Sequence, residues 1–302
     1  MILLRLDGRI GNQLFMYAFA RSISDKRNNE LIVIDDREAI KRQYHNSLMD
    51  YKLDNVKYVH DHKIFYKPGF IKQNIIFFIY RVLRKALNFN QRFLLEKKYQ
   101  KFFNSNGLIL CENGYLDYTI PTTKNIFING YFQSDKYFQN VKDEIINAFT
   151  IDNATMENYY PDIVKIRNRN SVCISIKVQH NVGNSIYDVC NDGYWQKAIN
   201  YICQNVEDPL FFICSDNVEY VKENLIDCTK YDAVFQNPKI PVNVSLSIMG
   251  QCKHFVIGNT TFGWWAQYLC KYDKKIVVAP SKWMKIDMPI DIYQNGWHLV
   301  EV

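Results

Sequence analysis

Short apolar runs rich in β-branched and aromatic residues recur along the chain and alternate with stretches of helical periodicity. The first such run covers residues 2–6. Six more follow: "LIVID" (31–35), "NIFINGYF" (125–132), "SVCISIKV" (171–178), "PLFFICSD" (209–216), "HFVIGN" (254–259) and "KIVVAP" (275–280). Between them, apolar residues recur at helical spacing, as in 194–203 and 218–225. Continuous apolar strands that alternate with helices are typical of parallel sheets covered on both faces, so the pattern predicts an α/β protein.

The strand–helix rhythm suggests two domains. From about residue 165 the rhythm repeats regularly, whereas the stretch around 145–168 is polar and breaks the periodicity. We therefore expect an N-terminal α/β lobe over residues 1–150 and a C-terminal lobe over residues 160–302. In two-lobed α/β proteins the ligand usually lies in the cleft, outside the carboxyl ends of the strands.

The chain reaches its first helix through the stretch "LDGRIGN", residues 6–12. Helical spacing of apolar side chains starts at Leu14, which puts Gly8 and Gly11 in the connection. Glycines permit positive φ or a close approach to the backbone, and the helix start behind them offers N–H groups to an anion such as a pyrophosphate. A tight strand–helix turn without a ligand explains the same residues. Spacing alone leaves both interpretations open.

The composition is that of a globular protein, with 48% hydrophobic and 23% charged residues in a chain of 302. Eight cysteines form no CxxC pair or other metal spacing, and several lie in apolar runs, which favours buried free thiols in a reducing compartment. The first apolar run, residues 1–4, is short for a signal peptide, and no apolar stretch reaches the roughly 18–20 residues of a membrane span. We expect a soluble, cytoplasmic protein.

The net charge of +6 is concentrated in residues 63–101, where ten Lys or Arg face the single acid Glu96. This segment includes the aromatic and aliphatic run "NIIFFIYRVLRKALNF". A basic amphipathic helix of this kind fits peripheral contact with an anionic membrane, on the inner face of the cell membrane for a cytoplasmic protein. The alternative is a core helix with a solvated basic edge. No recognised nucleic-acid module accompanies the charge, so we expect no nucleic-acid partner.

Polar residues gather where the predicted strands end. Lys177 ends one strand, Ser215 and Asp216 end the next, and Thr260 and Thr261 follow a third. Asp216 has the chemistry to accept hydrogen bonds from a base or ribose, and the threonine hydroxyls with nearby N–H groups suit a phosphate. A Ser-Asp pair at a strand end is also a common helix N-cap. Trp264 and Trp265, just beyond, are more typical of a core than of a ligand platform.

Taken together, these strand ends and their flanking segments resemble the α-1,2-fucosyltransferase family, which uses GDP-fucose. The segments that carry the resemblance are "GRIGNQLFMYAFARSIS", "INGYFQSDKYF", "FFICSDNVEYVKENL", "IMGQCKHFVIGNTTFGWWAQYL" and "VVAPSKW". They match the family's motifs in order along most of the chain. The resemblance implies a GT-B fold, with two Rossmann-like lobes whose parallel sheets face a cleft. It further implies an inverting, metal-independent transfer of L-fucose from GDP-fucose to a galactoside hydroxyl, in α-1,2 linkage and in bacterial surface polysaccharide (O-antigen) synthesis. The partners so implied are a nucleotide sugar and a glycan acceptor, and no cofactor is implied.

The resemblance also assigns roles. Its C-terminal lobe holds the donor, with Asp216 at the nucleoside and Thr260 and Thr261 at the phosphates, while the N-terminal lobe is the acceptor side. Arg9 and Asn12 reach across the cleft toward the pyrophosphate and the reacting centre, and Gly11 lets the backbone come close.

The chain departs from the family's His-X-Arg-Arg-Gly-Asp element. In the aligned segment the His falls on Ser175, the first Arg on Lys177, the second on Val178, the Gly on Gln179 and the Asp on His180. One positive charge survives at Lys177, a point charge where a bidentate guanidinium is the natural clamp for a leaving diphosphate. We therefore expect Lys177 and Arg9 to share the phosphate charge, with Ser175 as a further donor-binding residue; a protonated His180 is a further contributor.

Two nearby arginines are excluded and one carboxylate is a candidate. Arg167 and Arg169 precede the strand and lie about 25 Å from its carboxyl end, since each strand residue spans roughly 3.3 Å. An inverting transfer needs a base for the acceptor hydroxyl. Asp7 is the nearest carboxylate to the expected centre, although capping the glycine turn is the more common role for such a residue.

Three functions are therefore weighed. The first is the fucosyltransferase. The second keeps the fold and the nucleotide site but uses another donor, or binds GDP with weak or no transfer, as the altered residues 175–180 suggest. The third treats the basic segment as primary and the chain as a membrane-associated assembly subunit.

Overall fold

The computed structural model describes residues 1–60, 68–178, 186–227 and 229–302. It divides into two compact units. The first comprises Met1–Ile145 and Asp287–Tyr293, and the second comprises Ile146–Ile286 and Gln294–Val302.

The first unit contains a five-stranded parallel sheet in the order β3-β2-β1-β5-β4. Its strands are β1 (Ile2–Arg5), β2 (Ile32–Asp35), β3 (Val56–Val59), β4 (Leu108–Cys111) and β5 (Ile126–Gly130). All but β3 are almost fully buried. Its helices are α1 (Ile10–Lys26), α2 (Arg37–Lys41), α3 (Ile71–Arg84), α4 (Phe89–Ser105) and α5 (Lys142–Ala148), whose last turn belongs to the second unit. Short 3₁₀ turns cover Ser47–Asp50, Pro68–Phe70, Asp135–Tyr137 and Gln139–Val141.

The second unit contains a six-stranded parallel sheet in the order β11-β10-β9-β6-β7-β8. Its strands are β6 (Asn170–Ile176), β7 (Pro209–Ser215), β8 (Ala233–Phe235), β9 (His254–Ile257), β10 (Val277–Pro280) and β11 (His298–Val300). The helices are α6 (Asn153–Tyr159), α7 (Ile163–Asn168), α8 (Asp192–Asn205), α9 (Val218–Asn224), α10 (Val242–Met249) and α11 (Thr261–Leu269). Trp264 and Trp265 are fully buried, as expected for core residues.

Each sheet has one point where the chain changes direction. In the first unit the chain runs outward from β1 through β2 to β3, then crosses to β4 at the opposite edge of the sheet and comes back inward to β5, on the other side of β1. In the second it runs from β6 through β7 to β8, then returns to β9 on the other side of β6. In open α/β sheets ligands bind outside the carboxyl ends of the strands at such a switch point. The switch points therefore lie between β1 and β5 and between β6 and β9.

All seven apolar runs that predicted strands form strands, and the α/β prediction is confirmed. The helical stretches 194–203 and 218–225 lie in α8 and α9. The expected start of the first helix is wrong, because α1 begins at Ile10 rather than near Leu14. The carbonyl of Arg9 accepts hydrogen bonds from the N–H groups of Asn12 and Gln13, so Gly11 belongs to the first helical turn.

The basic segment forms two helices, α3 and α4. One side of α3 packs on the core of this unit, because Phe77 and Tyr80 belong to its buried cluster and Gln73 is buried, whereas the other residues of the helix are at least partly exposed. None of the helices in the described residues combines the length and apolarity that crossing a membrane requires. Residues 63–67 of the same segment lie outside the described residues.

Candidate functional site

The first switch point is built around the turn between β1 and α1. Gly8 has φ +76°, which a side chain would strain, and a Cβ there would lie 2.7 Å from Asn12 Nδ2. Asp7 Oδ1 accepts a hydrogen bond from the Gly8 N–H at 2.7 Å, and its Oδ2 lies 3.4 Å from the Arg42 guanidinium. Asp7 therefore caps this turn, the structural role that the sequence also allowed.

The two residues of the Asn-Gln pair at the start of α1 have different surroundings: Gln13 is buried and Asn12 is partly exposed. Gln13 is fully buried, donates to the carbonyls of Gly8 and His45, each at 2.8 Å, and accepts from the Ser47 N–H. These hydrogen bonds hold the backbone of the glycine turn in place from the buried side. Asn12 Oδ1 instead accepts a hydrogen bond at 2.9 Å from Gln133 Nε2, which follows β5. The two sides of the β1/β5 switch point are joined by this bond.

The turn that brings Gln133 to Asn12 has unusual backbone geometry. Gly130 ends β5 with φ +151°, and a Cβ there would lie 1.9 Å from the Cys111 carbonyl oxygen. Phe132 has φ +50°, in the left-handed region, and is held there by burial and by stacking on Phe19 at 4.2 Å between ring centroids. Strained backbone held by surrounding packing clusters at functional sites. Gln133 was not singled out from the sequence, although the segment "INGYFQSDKYF" that contains it was.

Arg9 is the N-cap residue of α1 and is exposed. Its guanidinium lies over the Tyr44 ring, 6.0 Å from the centroid. No carboxylate among the described residues lies within ion-pair distance of it. The Arg9 charge is thus available to an anionic ligand at the mouth of the glycine turn.

The second switch point collects the predicted donor residues. Ser175 pairs with Ile257 of β9 on one side and with Cys214 of β7 on the other. Lys177 follows one residue after β6 ends and is half-buried. Because β6 lies between β7 and β9, Lys177 leaves the sheet between the ends that carry Asp216 and Thr260.

Ser175 is buried against the start of α11. A Cβ on Gly263 would lie 3.0 Å from Ser175 Oγ and 3.2 Å from Ser175 Cβ, so the helix backbone passes directly over this side chain. The small residue at this position lets α11 begin close to β6. Ser175 thus acts on the position of the helix start.

The start of α11 presents unsatisfied backbone donors. Thr260 is the N-cap, and its Oγ1 accepts from the Gly263 N–H at 3.1 Å. The N–H groups of Thr261 and Phe262 have no acceptor among the residues that the structure describes. Helix N-termini of this kind carry partial positive charge and bind phosphates. Thr260 and Thr261 are both partly exposed, so this charge is accessible.

Asp216 is exposed and accepts a hydrogen bond at 2.7 Å from the Val178 N–H. The helix cap expected of the Ser-Asp pair belongs instead to Asn217, whose Oδ1 accepts from the Tyr220 N–H. Asp216 therefore connects the end of β7 to the turn that carries Lys177. Gln179 and His180 lie outside the described residues.

Arg167 and Arg169 lie before the amino end of β6, away from the carboxyl ends of the strands, as expected. Arg167 bonds to Gln251 and Asn153 and lies near Glu157, while Arg169 bonds to Asp208 and Asp232. Neither is part of the site.

The described cysteines are free thiols, and most of them are buried. The seven cysteines within the described residues are free, and six of them are buried; Cys228 lies outside those residues. Burial raises the pKa of Cys190 to about 12, with the hydrogen-bonded Asn259 acting in the other direction. In the part of the chain that the structure describes, no three His, Cys, Asp or Glu side chains gather in a way that could hold a metal ion.

The sequence profile of glycosyl transferase family 11 matches residues 1–301. The chain belongs to this family. The family 11 chain is therefore a glycosyltransferase, and the resemblance to α-1,2-fucosyltransferases is confirmed.

Two curated relatives of this family 11 enzyme match over nearly all of it, and a third matches over part of it. An alpha-1,2-colitosyltransferase of Escherichia coli is 28% identical over 94% of this chain and 92% of its own length. The O-antigen biosynthesis glycosyltransferase WbnK of Escherichia coli is 24% identical over 97% and 98%. Galactoside alpha-(1,2)-fucosyltransferase 1 of Leontopithecus chrysomelas is 23% identical over 61% and 54%.

Among solved structures, the NodZ alpha-1,6-fucosyltransferase soaked with GDP-fucose matches with a TM-score of 0.52 and 11% identity. The match covers 89% of the family 11 chain and 91% of NodZ. A match at this identity shows the fold. The prediction of an α/β fold of GT-B type is confirmed.

Proposed function

We propose that this protein transfers L-fucose from GDP-fucose to a galactoside hydroxyl, with α-1,2 linkage and inversion, in bacterial surface polysaccharide synthesis. The main support for this proposal is the β6/β9 switch point. There Lys177 follows β6, and α11 begins after the neighbouring strand β9. A lysine and unsatisfied helix N–H groups are the donors that a leaving diphosphate needs. The names of the relatives support the fucosyl donor, the galactoside acceptor and the O-antigen setting.

In this proposal the C-terminal lobe, 160–302, holds the donor. Thr260 and Thr261 bind its phosphates, Lys177 stabilises the negative charge that develops on GDP, and Asp216 contacts the nucleoside while holding the Lys177 turn. Ser175 supports the helix start. The transfer uses no metal ion, because this lysine and the helix dipole supply the positive charge.

The N-terminal lobe, 1–150, takes the acceptor. Arg9 and Asn12 act on the reacting groups, Gln133 holds the Asn12 amide in position, and Gly11 keeps the first turn of α1 uncrowded. Asp7 is the proposed base. Asp7→Asn tests this role, because the amide oxygen still accepts from the Gly8 N–H while the proton acceptor is lost. We expect kcat to fall with GDP affinity unchanged; full activity in Asp7→Asn excludes Asp7 as the base.

A second donor is favoured by one comparison. The relative with 28% identity is named for colitosyl transfer. Colitose lacks one ring hydroxyl that fucose carries, and Ser175 and Lys177 differ from the family's His and Arg at the donor end. A transferase of the same fold that uses GDP-colitose is therefore the alternative to the fucosyltransferase.

A donor screen decides between them. The enzyme is incubated with lactose and, separately, GDP-fucose, GDP-colitose and GDP-mannose, and the products are identified by mass spectrometry. We expect a fucosylated trisaccharide and stoichiometric GDP from GDP-fucose alone. Turnover of GDP-colitose only replaces the donor in the proposal. Calorimetric GDP binding without turnover of any donor identifies a GDP-binding relative, and absence of GDP binding overturns the nucleotide site.

The proposal places the enzyme in the cytoplasm, with peripheral membrane contact through the basic region 63–101.

A further inference from the structure

The outer face of α3 is apolar and open to solvent. Side chains spaced three or four residues apart share this face. Their exposed fractions run from 49% to 68%: Ile71, Ile75, Phe78, Ile79 and Val82. Phe78, at 68%, is the most exposed of the five. We call these five residues the α3 outer face. Contiguous exposed apolar patches on otherwise soluble proteins mark interaction sites.

The orientation of this face is fixed from the inside. Phe77 packs edge-on against Phe127 of β5, with 4.8 Å between ring centroids, and Tyr80 contacts Phe103 of α4. Arg84 Nη2 donates to Glu112 Oε1 at 2.7 Å. The helix is thus anchored to the sheet and to α4 along its buried side. It cannot turn its apolar residues inward without breaking these contacts.

Positive charge flanks the face on both sides. On a helical wheel Lys72 lies at one border of the face, and Arg81 and Lys85 lie at the other. All three side chains are exposed. The sequence has no Asp or Glu from residue 68 to residue 95. The surface therefore combines apolar side chains with flanking cations, of which Arg81 also feels the negative charge of Glu38.

We propose that the α3 outer face docks on an anionic lipid bilayer, with the helix lying in the plane of the membrane surface. Apolar side chains enter the boundary between headgroups and acyl chains, and the flanking cations contact anionic headgroups. A helix of 14 residues is about 21 Å long, too short to span but long enough to lie on the surface. The proposal depends on the surface of the first unit and holds for any donor.

Charge argues against a second copy of the chain as the occupant. A two-fold symmetric dimer through this face would bring Lys72, Arg81 and Lys85 of one copy against the same residues of the other, with no carboxylate from 68 to 95 to neutralise them. An anionic membrane supplies that neutralisation.

The test is co-sedimentation of the full chain with vesicles of phosphatidylcholine alone or containing phosphatidylglycerol. We expect the chain to bind the anionic vesicles at least about tenfold more tightly than vesicles of phosphatidylcholine alone, and we expect salt to weaken this binding. Phe78→Ser combined with Val82→Ser should abolish it. Val164→Ser, at an exposed valine of α7 in the second unit, is the matched control and should bind as wild type.

A charge pair completes the test. Lys85→Glu should reduce binding to anionic vesicles about tenfold, whereas Lys239→Glu, an exposed lysine of the second unit, should not. Equal binding to both vesicle types, or no binding to either, overturns the proposal. So does a dimer, detected by light scattering, that Phe78→Ser disrupts. Because no donor is used, failure here leaves the proposed function untouched, and failure of the donor screen leaves this test unaffected.

Discussion

The carboxylate of Asp216 accepts a hydrogen bond from the backbone N–H of Val178, at 2.7 Å between Oδ1 and N. The bond connects the end of β7 to the turn after β6, directly beside Lys177. Asp216→Ala removes the acceptor and releases this turn. Since a hydrogen bond to a charged group contributes about 1.5–3 kcal/mol, we expect GDP affinity to fall about tenfold or more, measured by calorimetry.

Asp216→Asn separates two roles of this side chain. Its amide oxygen can still accept from Val178, so holding the turn predicts an affinity near wild type. Direct contact of the carboxylate with the nucleoside predicts that Asn and Ala are equally impaired. Wild-type affinity in Asp216→Ala contradicts both roles.

Lys177 is expected to stabilise charge on the leaving diphosphate. Lys177→Ala should lower kcat/KM about a hundred- to thousandfold, the usual loss when one such contact is removed from a transition state. Lys177→Arg keeps the charge and adds a bidentate donor, so its activity should stay within about tenfold of wild type. The readout is GDP release with GDP-fucose and lactose. Lys239→Ala is the surface control, and unchanged kinetics in Lys177→Ala would remove this lysine from the mechanism.

Gly8 and Gly296 form a natural pair for testing the glycine turn. Both have positive φ, +76° and +84°, but a Cβ at Gly296 meets nothing within 4 Å whereas one at Gly8 meets Asn12. Gly296→Ala should cost about 1–2 kcal/mol from backbone strain alone. Gly8→Ala should cost more and also lower kcat, because Asn12 must move. Chemical denaturation and steady-state kinetics measure the two effects. Equal stability losses with unchanged kcat in Gly8→Ala would show that the position of Asn12 does not matter.

The pattern of apolar runs predicts most of the strands, because buried parallel strands are continuous apolar runs, as in β6 and β7. The four strands that were not predicted lack that signal or share it with another element. β8 and β11 are three-residue edge strands, and β3 is a half-exposed edge with the sequence "VKYV". β4, "LILC", is fully buried but only four residues long and follows α4 closely, where a short apolar run fits a helix equally well.

The candidate site was predictable where it follows strand ends along the chain, as at Lys177 and Thr260. It was not predictable where a contact joins distant segments. Asn12 and Gln133 are 121 residues apart and meet because β5 pairs with β1, with Leu4 opposite Ile128. No local periodicity encodes that pairing. The hydrogen bond of Asp216 could not be predicted for a similar reason. Its donor is the backbone N–H of Val178, in the turn that follows the neighbouring strand β6.

Glu96 links the stability of the first unit to pH. This carboxyl is buried between α3 and β4, accepting hydrogen bonds from the Tyr80 hydroxyl and the Glu112 N–H, and burial raises its pKa from 4.5 to about 7. Between these values the folded chain holds a proton that the unfolded chain has released, so stability should fall as pH rises from about 4.5 to about 7 and level off above. The difference amounts to about 3 kcal/mol.

Urea denaturation across this pH range measures the effect against Glu96→Gln, which keeps an acceptor for Tyr80 but cannot ionise. The variant should match wild type near pH 4.5 and exceed it by up to about 3 kcal/mol at pH 8, because it avoids a buried charge. A Glu96→Gln curve parallel to that of wild type at every pH would mean that Glu96 titrates normally. In that case the nearby arginines Arg84 and Arg92, which pair with Glu112, would offset the cost of burial at Glu96.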